Sequence, residues 1–155
     1  MVAADVMTEE VTVVKPDMPL DELVELFALN RISGAPVVND DGKLIGVVSI
    51  SDVAHAVNHR APRGRWADFS RDIWPEDLLE ELGSVDLRLQ VADLMNETTF
   101  DVIASTPLEH VVDTILHLRV HRVIVVDKQR RVQGLITTFD LVRLLPTLLA
   151  EKTRS

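Results

Sequence analysis

Two stretches decide the fold: GVVSISD at 46–52 and GLITTFD at 134–140. Each runs from a glycine through apolar residues to a hydroxyl, with an aspartate three positions later. Ser49-x-x-Asp52 and Thr137-x-x-Asp140 fit the pattern that caps a helix directly after a strand. The stretches lie 88 residues apart, and sliding the chain by 88 aligns positions 4–55 with 92–143 without an insertion. Thirteen of those 52 pairs are identical, among them Met7/Met95, Pro19/Pro107, Arg31/Arg119, Gly46/Gly134 and Asp52/Asp140. Two coincident caps would not bring such company. The chain carries an internal duplication with a unit of about 50 residues.

The unit has a readable order. ADVM or ADLM opens it, followed by a β-prone stretch at Val11–Val14 or Thr99–Ile103. Pro19 and Pro107 are expected at the first helical position, where a missing N–H costs nothing, with Thr106 and Glu109 as a cap pair in the second repeat. Apolar residues then recur at 20, 23, 24, 27 and at 108, 111, 112, 115, the stripe of a helix with one buried face. Strands follow at Ala35–Val38 and Val123–Val126, continuously apolar as strands covered on both faces are. Asn39-Asp40-Asp41-Gly42 suits a hairpin, whereas Asp127-Lys128-Gln129-Arg130 is a weaker turn signal. A third strand (Leu44–Ser49, Val132–Thr137) leads into a helix holding the aspartate. Each unit is therefore β-α-β-β-α.

The intervening residues differ in character. HRAPRGR at 59–65 reads as a solvated loop, and PEDLLEELG is framed as an acidic helix by Pro75 and Gly83. Trp66 and Trp74 lie here and are expected to plug a core or an interface. Residues 66–97 hold nine acids against Arg71 and Arg88, within an overall net charge of −9. Such a surface repels phosphate backbones, so nucleic acid is not the expected main partner. There is no cysteine, which excludes disulfides and sulfur-ligated metal sites. No apolar stretch approaches the roughly 20 residues of a membrane span, and MVAADVMTEE has neither the cationic nor the apolar region of a signal peptide. The expectation is a cytoplasmic protein.

The stretches VMTEEVTVV and PLDELVELFALNRISGAPVVNDDGKLIGVVSISD, with LMNETTFDVIASTPLEHVVDTILHLRVHRVIVVD and GLITTFD in the second repeat, resemble cystathionine-β-synthase (CBS) domains. Two in tandem look like a Bateman module. The resemblance implies an α/β (α+β) fold of two repeats packed sheet to sheet around a pseudo-two-fold axis. The boundaries are 1–57 for repeat 1, 58–90 for the insert, 91–147 for repeat 2 and 148–155 for a tail. It also implies ligand sensing without chemistry, the ligands being adenosine-containing: AMP, ADP, ATP, S-adenosylmethionine, sometimes NAD.

In this family the aspartate after the third strand takes the ribose hydroxyls, the nearby Ser/Thr contacts ribose or phosphate, and backbone at the start of the second strand reads adenine. Several members join one repeat's aspartate to the other's base-reading strand. Carried over on that pattern, one site would use Thr137, Thr138 and Asp140 with Met7, Thr12, Ile32, Ser33 and Gly34. The other would use Ser49, Ser51 and Asp52 with Met95, Phe100, Val120, His121 and Arg122. The sites are unequal, since Thr12 corresponds to Phe100, Gly34 to Arg122 and Ser51 to Phe139. Phe100 is expected to narrow the Asp52 cleft or stack on a base. Arg122 is expected to meet phosphate, the alternative being a surface acid, and the Asp140 cleft is expected to bind more tightly.

Two rival readings follow from the residues. A ligand-free scaffold would use Ser49 and Thr137 only as caps. An enzyme would need more than His55 and His59, whose i, i+4 spacing lacks the acid of an HExxH arrangement; no nucleophile elbow, P-loop or dinucleotide fingerprint is present. Catalysis is not expected. LVRLLPTLLA at 141–150, interrupted by Pro146, is more apolar than a surface helix should be and predicts a homodimer. A regulated partner protein is also expected.

Overall fold

The computed structural model describes residues 1–57 and 88–154. The loop at 59–65, both tryptophans and the acidic helix at 75–83 lie outside the described residues.

After a short helix α1 (Ala3–Val6), repeat 1 runs α2 (Leu20–Asn30), β1 (Gly34–Val38), β2 (Leu44–Ser49) and α3 (Ile50–Val57). Repeat 2 follows with α4 (Val91–Leu94), β3 (Asp101–Ile103), α5 (Leu108–Leu118), β4 (Arg122–Val126), β5 (Val132–Thr137) and α6 (Thr138–Arg154). The mixed α/β class and the duplicated order agree with the sequence. β1 is buried along its whole length, whereas β2 alternates buried and half-buried positions although its sequence is apolar up to Ser49. Leu20, Leu23, Val24 and Phe27 are all buried on one face of α2.

The hairpins show why the weaker turn still works. Asn39 Oδ1 accepts the N–H groups of Asp41 and Lys43, and Asp127 Oδ1 accepts those of Gln129 and Arg131. The left-handed position is taken by Gly42 in one repeat (φ 76°) and by Arg130 in the other (φ 62°). The carboxylate or amide at the first turn position thus fixes the loop, and glycine is dispensable.

Four local expectations are corrected. Pro19 and Pro107 are the N-caps, in extended backbone, with helices starting one residue later. Thr106 does not cap α5; its hydroxyl accepts the N–H of Ile103 and closes the turn after β3. Val11–Val14 forms no strand in repeat 1, and only Val14 bridges Val37, in parallel, where β3 pairs three residues with β4. Helix α6 continues through Pro146.

Contacts divide the chain into two compact units whose boundaries cut across the repeats: Thr12–Thr99, and Met1–Val11 with Phe100–Ser155. The opening segment of each repeat, its leader, therefore belongs to the unit built on the other repeat. In the second unit Ala3 and Ala4 donate to the carbonyls of Thr106 and Ala104, and Thr8 exchanges both backbone hydrogen bonds with Leu135 of β5 (2.9 and 3.0 Å). In the first, Val91 and Ala92 donate to Met18 and Pro16, and Asn96 exchanges both with Val47 of β2 (2.8 and 2.9 Å). Each unit has its own core. One gathers Leu20, Phe27, Val37, Val48 and Val53 around Val91. The other gathers Val111, Val123, Val125 and Ile136 around Ala3. A fragment of residues 1–57 lacks Val91 and the Asn96 bridge to Val47 of β2, so it is expected to unfold at a lower temperature than a fragment of residues 12–99. Thermal unfolding followed by circular dichroism checks this; equal midpoints would count against the exchange.

Candidate functional site

The hydroxyl–aspartate pairs sit where a strand turns into a helix. Thr137 ends β5 and is the N-cap of α6, with Asp140 at its third position; Ser49 and Asp52 stand the same way between β2 and α3. Asp140 Oδ2 accepts both the N–H of Thr137 (2.8 Å) and its hydroxyl (2.8 Å), and Thr137 Oγ1 in turn accepts the N–H of Asp140 (3.3 Å). Ser49 and Asp52 repeat the arrangement at 2.7, 3.0 and 3.3 Å. These are reciprocal capping boxes, as the sequence predicted.

The geometry splits each carboxylate. One oxygen is committed to the cap. Oδ1 of Asp52 and of Asp140 has no hydrogen bond among the described residues. Both side chains are half-buried, so each presents a fixed acceptor at the edge of solvent. The neighbouring helix N-terminus supplies partial positive charge and N–H groups that suit an anion beside that acceptor.

Backbone holds the start of each second strand beside its own repeat's cap. Ile50 N–H donates to Ser33 (2.8 Å) and Gly34 pairs with Ser49; Thr138 N–H donates to His121 (3.1 Å) and Arg122 pairs with Thr137. Within the unit Thr12–Thr99 the structure thus brings Ile32, Ser33 and Gly34 together with Ser49, Ser51 and Asp52. Within the other it brings Val120, His121 and Arg122 together with Thr137, Thr138 and Asp140. Ile32 and Val120 are half-buried against the cores, Ser33 and His121 are exposed, and Arg122 is half-buried with a partner. Phe100 lies beside β4, its carbonyl accepting the N–H of Ile124, and Thr12 opens its unit half-buried. Met7 and Met95 join the cores, their side chains lying on Gly134 and Gly46 of the third strands.

Two features escaped the sequence reading. Arg31 and Arg119 end their helices in the left-handed conformation (φ 51° and 52°), turning the chain into Ile32–Gly34 and Val120–Arg122. Their identity in the repeat alignment was the available signal; a non-glycine residue there costs roughly 1–3 kcal/mol. The second is the setting of Phe139, whose difference from Ser51 the sequence showed: it is 62% exposed next to Asp140, with the Arg143 guanidinium 4.9 Å over its ring. Repeat 1 has Ser51 and His55 at these positions. Among the described residues no group of histidines and acids is placed to hold a metal ion. No described helix is long and apolar enough to cross a membrane.

Comparison with known proteins agrees with the duplication. CBSX1, a chloroplastic CBS domain-containing protein of Arabidopsis thaliana, is 33% identical over 143 residues, 87% of this chain and 59% of that protein. The chain thus spans somewhat less than two thirds of that relative's length. The solved structure of CBSX2 from the same plant matches with a TM-score of 0.74 at 28% identity, covering 96% of both chains. CBSX2 in complex with AMP matches at 0.72 and 28%, covering 95% of this chain and 97% of that one. The family model for the CBS domain matches residues 2–59 and 91–147, and with both repeats accounted for, the chain belongs to the CBS-domain family.

Proposed function

We propose that this protein is a non-catalytic sensor of adenine nucleotides, each aspartate Oδ1 accepting a ribose hydroxyl while Oδ2 holds the helix cap. The observation that carries this reading is the split carboxylate, repeated in both units, which leaves a rigid acceptor next to a helix N-terminus. The complex of CBSX2 with AMP supports an adenosine-type ligand. Phosphate favours the Asp140 side, because Arg122 stands opposite Thr137 where Gly34 stands opposite Ser49. Thr138 and Ser51, exposed at the first turns of their helices, would contact ribose or phosphate on this reading. AMP, ADP and ATP are the first candidates, with S-adenosylmethionine and NAD behind them.

Asparagine separates the two duties of the aspartate. Asp140→Asn keeps one oxygen for the Thr137 N–H and hydroxyl, so unfolding in urea should shift by no more than about 0.5 kcal/mol. It replaces the free acceptor by an NH2 donor, so AMP affinity measured by calorimetry should fall roughly ten- to a hundred-fold, the equivalent of about 1.5–3 kcal/mol. Asp52→Asn should matter less. Asp140→Ala should lose the cap as well, at about 0.5–2 kcal/mol of stability. Unchanged affinity in both asparagine variants would leave the aspartates as caps only, and a parent chain that binds no adenine nucleotide would favour the scaffold reading.

The same proposal includes a homodimer. Phe139, Val142, Leu145 and Leu149 lie along one face of α6 and are each at least half exposed, an apolar stripe of the kind that marks an interface. A second copy presenting the same stripe satisfies two-fold symmetry, and a dimer of this kind would carry the ligand signal to a regulated partner. Sedimentation at micromolar concentration should give two chains per particle, and Val142→Glu with Leu149→Glu should give one. A parent at single-chain mass would refute the dimer.

A further inference from the structure

The leader exchange places an element of one repeat directly on the strand that ends in the other repeat's capping box. β5 has β4 on one side, and on its other side Thr8 takes and gives one hydrogen bond each with Leu135, two residues before Thr137. One residue further back, the fit is steric: a Cβ at Gly134 would lie 2.5 Å from Met7 Sδ and 2.9 Å from its Cγ. Glycine is thus the residue that admits the methionine, and the methionine is what fills the space above it. The counterpart is built alike. Asn96 is bonded to Val47, two residues before Ser49, and a Cβ at Gly46 would lie 3.1 Å from Met95 Sδ and 3.0 Å from the Asn96 carbonyl. The contact is tighter at Gly134, where the flexible end of Met7 has to move to accept any side chain.

We propose that Met7 and Thr8 are positioning residues for the Asp140 carboxylate, and Met95 and Asn96 for Asp52, so that docking of each leader and occupancy of the opposite repeat's ligand site are linked. The physical chain is short. A strand paired with β4 on one edge and pinned at Leu135 on the other has a fixed register close to its end, and the free oxygen of the aspartate is aimed by the cap residue at that end. If the leader lifts from β5, that strand is held by β4 alone, the cap loses its rigid base, and the acceptor is no longer preorganised for a ribose hydroxyl. Linkage is reciprocal: a ligand that binds better to the docked arrangement must tighten the docking by the same factor. The sequence distance makes this useful, because a nucleotide held by residue 140 changes the order of residues 1–11. The linkage rests on the ligand reading given above.

The test uses the full chain with Asp52→Asn, leaving the Asp140 site as the one measured, and AMP as the probe. Hydrogen exchange of the peptide covering residues 1–11 should slow when AMP is added. Gly134→Ala should weaken AMP at least about fivefold, the lower end of ordinary coupling energies, and should remove the AMP-dependent protection of that peptide. Met7→Ala alone, which empties the space above Gly134 without a clash, should weaken AMP in the same direction and lessen that protection. A purely structural role predicts something else: a lower melting temperature with AMP affinity unchanged at 25 °C in Gly134→Ala, no effect of AMP on residues 1–11, and AMP affinity unchanged in Met7→Ala. Any of those three results overturns the linkage. A parent chain that binds no AMP at all overturns the ligand reading itself and the linkage with it.

Discussion

Two pairs of backbone hydrogen bonds, Thr8 with Leu135 and Asn96 with Val47, hold the architecture in its observed form. They finish the outer edges of β5 and β2, which would otherwise present unpaired N–H and C=O groups to solvent. Because each is made by the opening segment of the other repeat, neither half of the chain can complete its sheet from its own residues. The buried positions show the same dependence. Ala3 and Val91, both fully buried, each sit among residues of the opposite repeat.

On this frame each capping box uses only part of its acid. A reciprocal cap needs one acceptor oxygen from its acid, and a carboxylate has two. Serine or asparagine at the third position could not both accept the cap and keep an anionic oxygen facing outward. The recurrence of aspartate at 52 and 140 thus leaves, at both caps, one oxygen beyond what the helix start uses. The asymmetry between repeats is carried by the surroundings: glycine opposite one cap, arginine opposite the other, and an exposed phenylalanine beside Asp140 alone.

Much of this was legible in the sequence, and the failures have physical causes. The period of 88, the apolar stripe of α2 and the extents of β2 and β5 follow from side-chain pattern, which sequence displays directly. The helix starts were placed one residue early because proline fits both the N-cap and the first helical position, and φ near −65° does not distinguish them. The missing strand at Val11–Val14 reflects β-propensity overridden by where the chain must go: only Val14 reaches Val37. The exchange of leaders was hidden, since a local alignment of repeats matches each leader to its own body. Its trace lay in the Gly46/Gly134 and Met7/Met95 identities, which look unrelated until the methionine is seen resting on the glycine.

Proline at position 146 leaves its own mark on the surface of α6. Lacking an N–H, it cannot donate to the carbonyl one turn earlier, that of Val142, so the helix continues with one rung of its ladder absent. Val142 lies within the apolar stripe, which means that an acceptor sits in the middle of an otherwise greasy strip. Any surface laid flat against that strip must supply a donor at that point or trap a water molecule there. A helix turned about the two-fold axis brings its own Val142 carbonyl and no donor, so a symmetric pair would have to cross away from that spot. The proline therefore restricts the crossing point of two such helices more narrowly than the leucines around it, which tolerate a range of offsets.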